Sequence, residues 1–111
     1  MEYKQTPIEA TCPECRGPLS EVRTGDLREF QCLVGHKFTA RSMLEAFSET
    51  EERVLWSAVV ALEEATNLVE LAGQDFPPAV AERLKQQAQT KRQQAGQVRA
   101  ILASLQPFQL D

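Results

Sequence analysis

Four residues in the first third of the chain have the types and spacing of a metal site: Cys12, Cys15, Cys32 and His36. The first two cysteines are separated by two residues, sixteen residues follow, and three residues separate the third cysteine from the histidine. Zinc in proteins takes a tetrahedral set of thiolate and imidazole ligands, and three cysteines with one histidine are a common closed set. This set uses all three cysteines and the only histidine of the chain. The spacing therefore predicts one bound Zn2+ ion.

We expect this ion to be structural. Catalytic zinc keeps one coordination position open for water or substrate, whereas four protein ligands close the coordination shell. The single histidine is assigned to the metal, so none is left to act as a general base. The sequence therefore predicts that the protein is not an enzyme, and hydrolysis assisted by this metal is the least favoured hypothesis.

The cysteines also permit assignments without zinc. A disulfide between the first two would leave the third unpaired and the histidine without a role. Iron in place of zinc, or four residues without any connection, are the further alternatives. Two glycines favour the metal: Gly17 follows the first cysteine pair, and Gly35 lies between the third cysteine and the histidine. The backbone must turn tightly around an ion at both places, and glycine permits such turns.

The sixteen residues between the ligand pairs contain two short segments in which apolar and polar residues alternate, at 19–23 and 27–31. Such alternation is typical of half-buried strands, and a glycine-containing turn at 24–26 joins them. The pattern predicts a β-hairpin that brings the ligand pairs side by side. Residues 1–10 show no periodicity, so we expect a loosely held lead-in there. We assign residues 1–39 to a zinc ribbon.

After residue 40 the chain is rich in Ala, Leu, Glu and Gln, which favour helix. Thr39 is a candidate N-cap. Residues 48–51 also match a capping box, so either one helix continues or a second one begins there. Residues 73–78 contain a glycine and two prolines and predict a tight turn into another helix. We assign residues 40–111 to a long antiparallel helical hairpin, which makes the chain a small α+β protein.

Apolar residues in each predicted helix recur at steps of three and four, which marks the face that packs inside the hairpin. In the first helix this face comprises Leu55, Ala58, Leu62, Ala65, Val69 and Ala72. In the second helix the same spacing gives Leu84, Ala88, Lys91, Ala95, Val98, Leu102 and Leu105.

The first helix has further apolar residues outside this face. Among them Trp56, Val59 and Val60 are candidates for a contact with a protein partner. Packing of Trp56 onto the ribbon or the second helix is the structural alternative. Because two helices bury only one face each, we expect a homodimer in which four helices pack together.

The overall composition argues against several classes of function. Sixteen acidic and twelve basic residues give a formal charge of −4 and a pI near 5.1, the wrong sign for a protein that binds phosphate backbones. No apolar run has the roughly 20 residues that a membrane span needs, and the N-terminus lacks the pattern of a signal peptide. We therefore expect a cytoplasmic protein that binds protein partners, and we expect neither membrane association nor nucleic-acid binding.

The motif CPECRGPLSEV, the run LREFQCLVGHKFT and the helical segments SMLEAF and ERVLWSAVVALEEA resemble a small zinc-ribbon module of bacteria. The module is similar to the segment appended to some chemotaxis protein-glutamate methylesterases. The resemblance extends over residues 11–70 and implies the same four ligands, with Trp56 as a landmark of the helix. It implies no catalysis, because the methylesterase triad belongs to a separate domain that these 111 residues do not contain. It also implies an association with two-component signalling.

We therefore predict a non-enzymatic structural-zinc interaction module, linked to bacterial two-component or chemotaxis signalling. The alternative is a zinc-ribbon accessory protein of the nucleic-acid or transcription machinery, since zinc ribbons often serve there. The acidic net charge and the aromatic content of only 6% argue against that alternative, because few rings are present to stack on bases. A titration with DNA or RNA at low salt distinguishes the two hypotheses.

Overall fold

A computed structural model describes residues 3–111 of the chain. A four-stranded antiparallel sheet is followed by two long helices, which confirms the predicted α+β class. The elements are β1 (Tyr3–Thr11), β2 (Pro18–Thr24), β3 (Leu27–Cys32), β4 (Lys37–Phe38), α1 (Ala40–Ala72) and α2 (Pro78–Ser104).

The chain divides into two compact units. The sheet unit comprises the residues up to 50 together with 107–111, and the helical unit comprises residues 51–106. Helix α1 contributes residues to both units. The predicted domain boundary between residues 39 and 40, where α1 begins, remains a prediction.

The predicted hairpin is present as β2 and β3. The two strands pair antiparallel from Leu19 opposite Cys32 to Thr24 opposite Leu27. Gly25 in the connecting turn has a φ of 64°, a left-handed conformation that glycine adopts without strain. The short strand β4 then pairs with β3, so that Phe30 lies opposite Phe38.

The expectation of a loosely held lead-in at residues 1–10 is wrong for the residues that the structure describes. Strand β1 pairs antiparallel with β2, and the register shifts between Pro7 and Thr11. The residues from Lys4 to Pro7 are exposed, because β1 lies at an edge of the sheet. Backbone pairing with β2 therefore holds the first half of this strand, which has no buried face, and only Ile8 and Ala10 near its end pack against the core.

The core of the sheet unit is small. Its described buried residues are Cys12, Leu19, Val22, Cys32, Phe38 and Met43. All but Val22 form one cluster, against which Ile8, Ala10, Phe30 and Phe47 pack. Two of the six buried residues are cysteines of the predicted metal site. A core of this size stabilises a small unit only weakly, so an additional link such as a metal ion or a disulfide is usually needed.

Helix α1 begins at a reciprocal cap. The backbone N–H of Ser42 donates to Oγ1 of Thr39 at 3.0 Å, and the backbone N–H of Thr39 donates to Oγ of Ser42 at 2.9 Å. The predicted N-cap at Thr39 is thus confirmed. The helix then runs without a break through residues 48–51, so the capping-box pattern there does not start a new helix.

The helical unit has a core of small residues. Val59 and Thr66 of α1 and Ala88 and Ala95 of α2 are buried, and the Thr66 hydroxyl lies 3.3 Å from the Ala88 carbonyl. The predicted packing face of α1 needs a correction, because it left Val59 outside although this residue is fully buried. Its neighbours in the predicted face, such as Leu55 and Leu62, are only partly buried.

Neither α1 nor α2, within residues 3–111, contains an apolar segment long enough to cross a lipid bilayer.

Candidate metal centre

The first two predicted ligands lie in the turn between β1 and β2. The backbone N–H of Cys12 donates to the carbonyl of Gly17 at 2.7 Å, and the N–H of Arg16 donates to the carbonyl of Cys12 at 2.8 Å. Arg16 takes a positive φ of 64°, which closes the turn. A Cβ atom on Gly17 would lie 3.4 Å from the Cys15 sulfur, at the short end of ordinary van der Waals contact.

The other two predicted ligands lie in the turn between β3 and β4. The N–H of Cys32 donates to the carbonyl of His36 at 3.1 Å, and the N–H of Gly35 donates to the carbonyl of Cys32 at 3.2 Å. The N–H of His36 also points at the Cys32 sulfur, 3.3 Å away. Gly35 has a φ of 101°, so a side chain there would strain the turn.

The sheet brings the two turns together. Leu19, just after the first turn, pairs with Cys32 at the start of the second. As a result the four ligand atoms, which belong to Cys12, Cys15, Cys32 and His36, all lie within 4.8 Å of one another. This arrangement can hold one metal ion.

The distances match a tetrahedral centre. On a tetrahedral zinc ion a thiolate sulfur and an imidazole nitrogen lie about 3.6 Å apart, given the usual bond lengths. Nδ1 of His36 is 3.3 Å from the Cys32 sulfur and 3.6 Å from the Cys12 sulfur. Nδ1 is therefore the imidazole atom that faces the thiols.

Glu14, a residue that the spacing of the ligands does not mark, orients the imidazole. Its Oε2 lies 3.1 Å from Nε2 of His36, on the side of the ring away from the thiols. Metal-binding histidines commonly donate their second N–H to a carboxylate, which fixes the ring orientation. The position of Glu14 between the two cysteines of the first turn is the only sequence feature that points to this role.

The pKa values of Cys32 and Cys15 are shifted in opposite directions. Burial alone would raise the pKa of Cys32. Hydrogen bonds outweigh burial and lower this pKa to about 6. They come from the His36 backbone, the Cys15 thiol, the Val34 backbone and the His36 side chain. For Cys15 the Gly17 backbone favours the thiolate, yet burial and the neighbouring thiols together raise its pKa. Hydrogen bonds to Cys32 and Cys12 raise the pKa of His36.

All three cysteines are free thiols, so the alternative of a disulfide between the first two is not what the structure shows. Cys12 and Cys32 are buried and Cys15 is exposed. Thiols in this state are available as metal ligands once they lose their protons.

The three residues proposed for partner contact differ in their exposure. Trp56 is 43% exposed and Val60 is 48% exposed, whereas Val59 is fully buried. An accessible surface in this part of α1 is thus formed by Trp56 and Val60 and not by Val59.

Comparisons with protein-family models, with curated proteins and with solved structures find no match to this chain.

Proposed function

We propose that this chain is a non-enzymatic interaction module in which one structural Zn2+ ion holds the sheet unit together. The single observation that carries the proposal is the convergence of four ligand atoms, from Cys12, Cys15, Cys32 and His36, within 4.8 Å. The proposal has three parts: the identity of the metal, its structural role and the kind of partner.

The donor set favours zinc. Thiolate and imidazole ligands in a tetrahedral arrangement suit zinc, whereas calcium and magnesium prefer oxygen ligands. Iron–sulfur clusters are usually held by four cysteines, whereas the chain has three, and mononuclear iron commonly uses two histidines and a carboxylate, whereas the chain has one histidine. Glu14 supports the assignment, since a carboxylate on Nε2 leaves Nδ1 of His36 to bind the ion.

A structural role follows from the number of ligands and from the size of the core. Four protein ligands leave no position for a water molecule that could attack a substrate. Among the described residues, the buried core of the sheet unit contains only six, two of which are proposed ligands. Binding of zinc therefore contributes directly to the folding of this unit.

The functional context is proposed from the resemblance to the zinc-ribbon segment of chemotaxis methylesterases. We place the module in the bacterial cytoplasm, bound to a protein of two-component or chemoreceptor signalling. The helical unit supplies the association surface, since Trp56 and Val60 are exposed, and it also supports a homodimer. The acidic net charge of −4 favours protein partners over nucleic acid.

The test has a metal arm and a partner arm. Elemental analysis of the purified chain is expected to give one zinc per chain, and substoichiometric or absent zinc would contradict the proposal. Affinity capture from a bacterial lysate is expected to recover chemoreceptor-pathway proteins with the wild type and not with a Trp56→Ala control, which changes the exposed surface of the helical unit. Recovery of ribosomal or polymerase subunits instead would favour the accessory protein of nucleic-acid machinery.

A further inference from the structure

Helix α1 carries a second face on which the order of the charged residues is complementary to that of a second, antiparallel copy of the same helix. Arg53, Ser57, Val60 and Glu64 follow one another at steps of four, three and four residues, and all are exposed. Residues with this spacing form one stripe along a helix, as in the seam of a coiled coil. We call these four residues the α1 seam. They line a shallow groove of about 490 Å3, together with Trp56 and Ala61.

The aromatic residue beside the seam is held in place before any partner binds. The guanidinium of Arg99 lies over the Trp56 ring, 5.4 Å from its centroid. Arg99 also donates hydrogen bonds from Nη2 to the two carboxylate oxygens of Glu63, at 3.0 and 3.1 Å. The indole is therefore oriented although 43% of the residue is exposed. Burying such a pre-oriented side chain costs little conformational entropy, and ordered aromatics of this kind often dominate binding energy.

The order of the charges along the seam indicates what covers it. If two copies of α1 pack antiparallel about a two-fold axis between residues 58 and 59, Arg53 of each copy faces Glu64 of the other. In the same arrangement each Ser57 faces a Val60. A parallel pair in register would instead set Arg53 against Arg53 and Glu64 against Glu64, which is repulsive. Because a two-fold contact repeats every pair, two Arg–Glu pairs form in the antiparallel arrangement.

We propose that the α1 seam is the contact surface of an antiparallel homodimer centred between residues 58 and 59. This inference rests on the proposed function, in which the helical unit associates, and it adds the surface and the orientation. The two Trp56 rings lie on the same side of the two-fold contact, and the two Ala61 residues lie on the other side, where their small side chains let the helices approach. Trp56 and Val60 supply the apolar area, and the charges set the direction.

Charge reversal tests the orientation. Arg53→Glu and Glu64→Arg, each alone, replace two attractive pairs with two repulsive ones. Each is expected to raise the dimer dissociation constant at least tenfold, measured by sedimentation velocity over a concentration series. The double variant R53E/E64R restores both attractive pairs, and its dissociation constant is expected to return to within about threefold of the wild type. Glu52→Arg, an exposed reversal on α1 outside the seam, is the matched control and should leave dimerisation unchanged.

A monomeric wild type at high micromolar concentration would overturn the proposal. So would a dimer that both single reversals leave intact, or a double variant that stays as weak as the singles. Circular dichroism verifies that each variant keeps its helix, and zinc analysis of the same samples separates this inference from the proposed function. One zinc per chain in a monomer would refute the dimer and leave the structural-zinc proposal standing.

Discussion

The two units of this chain differ in the features that can stabilise them. The sheet unit has a core of six buried residues among those described, and four candidate ligand atoms lie within 4.8 Å of one another there. The helical unit contains no cysteine or histidine and packs two helices through small residues such as Ala88 and Ala95. The comparison teaches that the proposed metal would stabilise one unit, while helix packing stabilises the other.

The largest expected effect is the loss of one unit without the other. Cys32→Ser removes a buried ligand, so the variant should lose its zinc and the structure of β1 to β4. Helix in residues 51–106 should persist, because no ligand lies there. Elemental analysis and far-ultraviolet circular dichroism check this outcome. A variant that keeps one zinc per chain would refute the assignment of Cys32 as a ligand.

Lowering the pH should unfold the sheet unit and leave the helical unit folded, as we expect for Cys32→Ser. Zinc requires deprotonated thiols and a neutral imidazole, so its affinity falls as the pH falls. The lowered pKa of Cys32, about 6, means that this thiol becomes protonated only below that pH. A thiol whose pKa falls from 9.0 to about 6 on folding contributes its full stabilisation above pH 9, and this contribution shrinks as the pH falls and is lost near pH 6.

We therefore expect zinc release to steepen below pH 6, with unfolding of the sheet unit and retention of helix. A colorimetric zinc chelator and circular dichroism, read on the same samples, follow the two events. Simultaneous loss of zinc and of all helix near pH 5 would contradict the independence of the two units.

A pair of neighbouring valines probes the helical unit. Val59 is fully buried and Val60 is 48% exposed. Val59→Ala leaves a cavity and should destabilise this unit by about 2 kcal/mol, whereas Val60→Ala should cost less than about 0.5 kcal/mol. Thermal unfolding at low protein concentration, where the proposed dimer would be dissociated, measures both. Zinc content should stay at one per chain in both variants, and equal destabilisation would contradict the burial pattern.

A further expected effect concerns Glu14. Glu14→Gln weakens the carboxylate contact to His36, so zinc affinity should fall by about tenfold, at the low end for such contacts because Glu14 is exposed. Glu9→Gln, an exposed acidic residue of β1, is the matched control for the change in charge. Competition with a chelator gives both affinities. An equal loss in the two variants would show that net charge, and not the contact to Nε2, is responsible.

The sequence was informative where spacing reflects local geometry. The two ligand pairs, the hairpin between them and the cap at Thr39 each depend on a few adjacent residues, and the structure places them as expected. Within the predicted lead-in, residues 3–10 were misjudged because an edge strand is held largely by backbone hydrogen bonds, which leave little trace in the side-chain pattern. Val59 was misassigned because α1 has apolar residues on two faces, so periodicity alone does not decide which one packs against α2.

Glu14 illustrates a different limit of prediction from sequence. Its contact with Nε2 of His36 joins two turns that are separated by the whole hairpin. The sequence shows a glutamate between two cysteines, but only the paired strands reveal which side of the imidazole it meets. For the same reason the choice of Nδ1 as the metal-facing atom could not be predicted from the spacing of the ligands.

The central claim is that zinc maintains the sheet unit and leaves the helical unit independent. Two-dimensional amide NMR spectra of the wild-type chain, recorded before and after removal of zinc with a strong chelator, test it most directly. We predict that the signals of β1 to β4 collapse into the unfolded range, that those of residues 51–106 keep their positions, and that added zinc reverses the change. Unchanged sheet signals after complete removal of zinc, or collapse of both units together, would contradict this claim.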